Sequence, residues 1–481
     1  MKKFLFYIIP IIFIHWGCEN KEKSDSRQLE VIIVHTNDMH GSINNFPHLA
    51  ALKDSLEQIH EHVLLVSAGD IFSGNPMVDQ YDPRGFPIID LMNEVGYHMS
   101  AIGNHEFDYG QKALKERMEQ AEFPFLCANM KTAGSILPQP KPFHRLQIEG
   151  VELVFLSLLE TGNQGKPATH PAKVKGIKFY DPIQVAGQYI DSIEGTNAMI
   201  GLTHLGYSRD KQLIEQYHAF DVIIGGHSHT LLEKTDQYRG VLITQANDDM
   251  NYAGIIRLTF KKGELANKSS ELVDLNTFHQ TDKKVQAKVD KYNNNEALAE
   301  IIGYAASPIK GKGELGSLFT DAQTSMHNLD FAFQNNGGIR IDEIPKGEIR
   351  VKTIYALDPF GNELMKFTMT PAEMISLIRY YYNRSYSPGL RISGGTYTMK
   401  VNSSDEIEKI IVKDEQGDLL NVDSTYSVGL NSYISDSYDF EHIDEGESLN
   451  ITTAENIIKY IKQQDTIDYS EVKRVYIEQT E

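Results

Sequence analysis

Five short apolar runs in this 481-residue chain end in turns that carry aspartate, asparagine or histidine. Val31–Val34 leads into His35-Thr36-Asn37-Asp38-Met39-His40-Gly41, and Val63–Val66 into Ser67-Ala68-Gly69-Asp70. A third run closes on Ile102-Gly103-Asn104-His105-Glu106, Met199–Leu202 leads into Thr203-His204, and Val222–Ile224 leads into Gly225-Gly226-His227-Ser228-His229. With Val151–Leu156, these runs alternate with polar, helix-like stretches, which predicts buried strands of an α/β domain. Ligands in open α/β sheets gather beyond the carboxyl ends of the strands, so these distant side chains are expected to converge on one site.

Their types suit a metal pair. Imidazole and carboxylate donors bind divalent transition metals such as zinc, manganese and iron. One carboxylate has two oxygens and can bridge two ions. Two ions roughly 3.5–4 Å apart activate a water and neutralise the oxygens of a phosphoryl group in transfer. Each turn alone is ordinary, because an aspartate after a strand commonly caps a helix or closes a turn, and two histidines in a loop can be plain surface. The specific signal is the ordered set of five.

Charge narrows the substrate. Lys plus Arg is 46 against 66 for Asp plus Glu, a net charge of −20. Nucleic-acid polymers are held by extended basic surface, so that class of partner is not expected. An acidic protein acting on phosphates has to build positive charge locally, through metal ions and a few arginines.

The chain divides unevenly. Lys2, Lys3, the apolar Phe4–Ile14 and Gly17-Cys18 read as an export signal over 1–17, too short to span a bilayer. Cys18 stands where a lipidated first residue would, although His15 occupies the place usually held by leucine, and the polar stretch 18–29 then reads as a tether. With Cys18 lipidated, Cys127 has no partner for an intrachain disulfide and is expected as a buried, inert thiol. Residues 30–280 form the first domain, polar 281–300 a connecting helix with little core of its own, and 301–481 a second domain of mixed helix and strand.

The order Asp-x-His, Gly-Asp, Gly-Asn-His-Glu, His, Gly-His-x-His resembles the calcineurin-like metallophosphatases. Asn104-His105-Glu106-Phe107-Asp108 and Thr203-His204-Leu205-Gly206 resemble the 5′-nucleotidase family within them. So do Gly313–Ala322, Asn335-Asn336-Gly337-Gly338-Ile339-Arg340 and Asp358-Pro359-Phe360-Gly361-Asn362 in the second domain. The resemblance runs from about Glu30 to the C-terminus. It implies a four-layer α/β/β/α metallophosphatase sandwich followed by a smaller α/β substrate-recognition domain. It also implies two divalent ions, zinc or manganese. Asp38, His40 and His229 would hold one, Asn104, His204 and His227 the other, and Asp70 would bridge them. His105, oriented by Asp108, would act beside the phosphate without binding metal, and Arg340 would clamp the terminal phosphate.

Base recognition departs from the family's pattern. The resemblance places one stacking ring at Tyr433 and a ribose-hydroxyl acceptor at Asp439, but its second ring falls near Leu390, which is not aromatic. Either Arg391 stacks there or the base is held weakly. Tyr380-Tyr381-Tyr382 could help hold the base, although a tyrosine run on a helix is more often core and rim packing.

The residues leave three functions open. The first is an exported 5′-nucleotidase, lipid-anchored at the bacterial cell envelope, with nucleoside di- and triphosphates or sugar nucleotides as variant substrates. The second keeps the metal site for a cyclic-nucleotide or general phosphodiesterase. The third is a surface binding lipoprotein that has lost the chemistry.

Overall fold

The computed structural model describes residues 28–480 apart from 163–164, 194, 234–235 and 386. The signal, Trp16, Cys18 and nearly all of the tether lie outside the described residues. Strand Gln28–Thr36 is buried from Val31 to its end because its alternate side chains enter two different cores. Val31 and Ile33 point into a layer between two sheets, whereas Ile32 and Val34 point into a layer of helices. A strand covered on both faces has no polar side, so it reads as a continuous apolar run.

This strand lies within a six-stranded sheet ordered Glu264–Asp274, Tyr252–Lys261, Gln28–Thr36, Val63–Ser67, Met99–Ala101, Phe125–Leu126. Its last four strands are parallel. The second six-stranded sheet is ordered Asp236–Tyr238, Val241–Thr244, Val222–Ile224, Ala198–His204, Val151–Leu159, Phe143–Ile148. Phe155, Ile200, Leu202 and Ile224 meet Ile33 and Val66 between the sheets. Helices Phe46–Glu57, Phe86–Val95 and Gly110–Gln120 cover the first sheet, and Pro182–Ile193 and Tyr207–Gln216 the second. The layers are therefore α/β/β/α, as the resemblance implied. Cys127 is buried, and burial pushes its thiol up to about 12.

The stretch expected as a connector with little core contains helix Lys283–Asn293, capped by the Asp282 side chain on the Val285 amide. Val285, Val289 and Tyr292 enter the first domain's helical core. Each fully buried side chain of this size contributes roughly 1.5–3 kcal/mol, so the helix is fastened to that domain.

Beyond it, helices Gly311–His327, Val351–Leu357 and Thr453–Gln464 share one core. A five-stranded sheet, ordered Leu390–Ser393, Phe331–Asn335, Tyr426–Asn431, Glu363–Met369, Glu447–Thr452, shares another with helix Pro371–Ser385. No described helix is long and apolar enough to cross a membrane.

Candidate active site

Five of the seven residues expected to bind metal hold left-handed backbone: Asp38 (φ 47°), His40 (47°), Asp70 (52°), His227 (78°) and His229 (52°). For non-glycine residues this conformation costs of order 1–3 kcal/mol each and persists only where the surroundings enforce it. Here the turns hold one another. The Asp38 amide donates to Gly69 O at 3.0 Å, His40 to Asp70 O at 3.0 Å and Gly41 to Ile71 O at 2.7 Å. Glu106, to which the sequence assigned no role, is fully buried and accepts from the amides of Asp70 (3.1 Å), Ile71 (2.6 Å) and Gly103 (2.5 Å). Gly103 has to be glycine, because a Cβ there would collide with the Asp70 carboxylate.

The result is two clusters of donors. Atoms of Asp38, His40 and His229 lie within 4.8 Å of one another, as do those of Asp70, His204 and His227. Asn104 Oδ1 joins the second cluster, 2.9 Å from His227 Nδ1. Asp38 reaches toward both, with Oδ1 3.7 Å from His229 Nε2 and 3.9 Å from His204 Nε2.

The donor chemistry fits cations. His40 Nδ1 sits 3.1 Å from Ser73 O, and His229 Nδ1 sits 3.0 Å from Asp248 Oδ2. With those N–H groups donated, both Nε2 atoms present lone pairs, and they face each other at 3.1 Å. His204 Nδ1 faces Ala68 O at 2.8 Å, and its buried Nε2 points at Asp70 Oδ2, 2.9 Å away. Facing lone pairs repel unless a proton or a metal ion lies between them. Burial holds His227 down at about 4, with His204 adding to the effect, so it is a neutral imidazole of the kind metals bind. Burial opposes charge on His204 too, yet the Asp70 and Asp38 carboxylates push it up to about 10, a field that attracts cations.

His105 belongs to neither cluster. Its Nδ1 lies 2.6 Å from Asp108 Oδ2, and Thr169 donates to the other Asp108 oxygen at 3.2 Å. Its amide donates to Asp70 Oδ1 at 2.8 Å. Burial opposes its charge, but Asp108 and Asp70 outweigh burial and hold the imidazole above its ordinary value.

A cavity of about 600 Å³ joins the two domains. Asp70, Asn104, His227 and His229 line its first-domain side, and Arg340 and Tyr433 its second-domain side. Phe360 crosses between them. Its ring stacks on His105 (5.9 Å, 23°), the Arg340 guanidinium lies 5.7 Å from its centroid, and Lys173 donates to its carbonyl at 3.2 Å. Phe360 and Lys173 carried no signal beyond the Asp358-to-Asn362 motif.

The residues considered for base recognition fall on different surfaces, with Tyr433 in the cavity lining. Leu390 pairs with Asn335 across the sheet and buries its side chain in the core. Arg391 does not line the cavity: its Nε donates to Asn336 Oδ1 at 2.9 Å, and its stem packs over Gly316. Asp439 is exposed and also lies outside the cavity lining. The wall is built instead by Tyr381 and Arg384 of helix Pro371–Ser385, with Tyr438. The tyrosine run expected to pack divides, since Tyr382 is buried in the core while Tyr381 faces the cavity.

With that geometry in view, comparisons identify the class. The family model for calcineurin-like phosphoesterases matches residues 32–231, and the one for the 5′-nucleotidase C-terminal domain matches 298–442. The chain thus joins a stretch that matches calcineurin-like phosphoesterases to one that matches the 5′-nucleotidase C-terminal domain. It is 27% identical to a 5′-nucleotidase of Diplobatis ommata over 91% of this chain and 88% of that protein. It is 25% identical to the trifunctional nucleotide phosphoesterase YfkN of Bacillus subtilis over 90% of this chain, but spans only 34% of that longer protein. The crystal structure of a 5′-nucleotidase precursor from Thermus thermophilus shares the fold, with a TM-score of 0.81 at 24% identity, covering 93% of this chain and 99% of that one.

Proposed function

We propose that this chain removes the 5′-phosphate from nucleotides in a site shared by its two domains. One observation carries the reading: a single cavity is lined by Asp70, Asn104, His227 and His229 on one side and by Arg340 and Tyr433 on the other. Asp38, His40 and His229 would hold one divalent ion, Asn104, His204 and His227 a second, and Asp70 would serve both, with zinc or manganese as the metal. Such a pair activates water and neutralises phosphoryl charge. Arg340 receives the terminal phosphate with its planar, two-pronged guanidinium. His105 keeps its proton through Asp108 and places it at the phosphoryl or leaving oxygen, as a positioned general acid does. Tyr433 and Tyr381 flank the base. The chain is exported and held at the envelope by Cys18.

A phosphate-release screen of the metal-loaded protein tests this, using nucleoside mono-, di- and triphosphates, sugar nucleotides and cyclic nucleotides. The expected result is release from 5′-mononucleotides. Turnover confined to cyclic nucleotides would replace the reading with a phosphodiesterase. The gathering of the expected donors and His105 at one cavity supports a catalytic reading over a non-catalytic one.

A further inference from the structure

The cavity has two chemically different ends. At one end stand the metal-binding residues, Arg340 and Lys173. At the other, Tyr381, Tyr433 and Tyr438 present rings, Tyr438 touching both of its neighbours at centroid distances of 5.9 and 6.0 Å. One cation stands at this aromatic end. Arg384 lies with its guanidinium 5.9 Å from the Tyr438 ring centroid, and it donates hydrogen bonds to the Tyr380 and Tyr433 hydroxyls. Among the described residues no carboxylate pairs with it, in a chain with 20 more acidic than basic residues.

Two hydroxyls do not use up the donors of a guanidinium, so with no acid on it Arg384 keeps N–H groups for a ligand at the cavity wall. A guanidinium offers several N–H donors in a fixed plane and accepts nothing. Tyrosine faces, not cations or glycine-turn amides, surround this one, so its ligand is a flat ring that stacks, not a second phosphate. Among nucleobases, the 6-oxopurine edge shows two adjacent acceptors, O6 and N7. Adenine offers N7 beside an amino donor, which opposes the guanidinium.

We propose that Arg384 is a specificity residue that reads the O6/N7 edge of a 6-oxopurine, so that the substrates taken best are guanine and hypoxanthine 5′-mononucleotides. The inference rests on the nucleotidase reading and narrows it.

The test is kcat/KM of the full, metal-loaded protein for GMP, IMP, AMP and p-nitrophenyl phosphate, with wild type, Arg384→Met and Arg384→Lys. GMP and IMP should exceed AMP by roughly 10-fold or more, the scale of one two-pronged arginine–purine contact. Arg384→Met should bring the GMP-to-AMP ratio close to one, and Arg384→Lys should keep part of it. Wild type that prefers AMP overturns the inference whatever the variants do. A ratio unchanged in Arg384→Met, with all nucleotides slowed alike, overturns it in favour of a stacking role alone. Turnover of p-nitrophenyl phosphate with no nucleotide cleaved would remove the nucleotidase reading itself, and this inference with it.

Discussion

His40 and His229 turn their Nε2 atoms toward each other at 3.1 Å, each with its other ring nitrogen already occupied, by Ser73 O and Asp248 Oδ2 respectively. Two imidazole lone pairs at that distance repel unless a proton or a metal ion lies between them, and a divalent ion would also satisfy the Asp38 carboxylate. Removal of metal should therefore destabilise the fold as well as stop hydrolysis. A ligand at about 100 times its Kd stabilises by about 2.7 kcal/mol. For a domain of this size that corresponds to roughly 5–10 °C in Tm per ion. Calorimetry of chelated against reloaded protein reads the difference, and equal Tm values would contradict it.

Asp248 orients His229 from behind, and such outer partners commonly control metal affinity by roughly 10–100-fold. Asp248→Asn should weaken one ion and spare the other, which is held by the buried His204. Metal titration followed by calorimetry would show one of two binding events displaced. Two unshifted events would mean that Asp248 does not orient the ligand.

His105→Ala should keep both ions and lose roughly 10²–10⁴-fold in turnover, the scale of a positioned acid–base group. The pH dependence comes from its neighbours. Burial alone would lower His105, but Asp108 and Asp70 hold it above its ordinary value, so the protonated form survives to higher pH. Activity that needs this proton should fall on the alkaline side, and Asp108→Asn should move that fall to lower pH. A kcat profile in which Asp108→Asn moved it to higher pH would reverse the assignment.

A fragment of the first domain should fold only if it keeps helix Lys283–Asn293. Ending near residue 281 strips Val285, Val289 and Tyr292 from the core, whereas ending after Asn293 retains them. The longer fragment should bind metal and cleave a small aryl phosphate, yet cleave nucleotides poorly. Remote binding energy from the second domain positions the reacting phosphate. Circular dichroism and kinetics of the two fragments provide the comparison, and equal stability of both would contradict the packing argument.

The metal-site geometry was legible because a parallel strand buried on both faces announces itself as an apolar run, and the turn that ends such a run marks the sheet's edge. Asp38, Asp70, His204 and His227 could be found that way. The seam of the connecting helix was also present, as Val285, Val289 and Tyr292 at helical spacing, but its many lysines obscured it. Beyond Tyr433, the aromatic end of the cavity was not legible. Which way Leu390 points depends on its pairing with Asn335, a register that no local signal fixes. In the run Tyr380-Tyr381-Tyr382, successive residues lie about 100° apart around a helix, so core and cavity claim neighbouring tyrosines. Only the packed position of that helix decides which.

Asp70 ties three parts of the site together: Oδ2 meets His204, Oδ1 accepts the His105 amide, and its backbone amide is held by Glu106. Metal content and phosphate release from a 5′-mononucleotide, measured on the same samples of wild type and Asp70→Asn, therefore bear most directly on a dinuclear nucleotidase. Wild type should carry two ions per chain and release phosphate, and Asp70→Asn should lose metal and nearly all turnover. Asp70→Asn carrying two ions with full activity would contradict the bridging site.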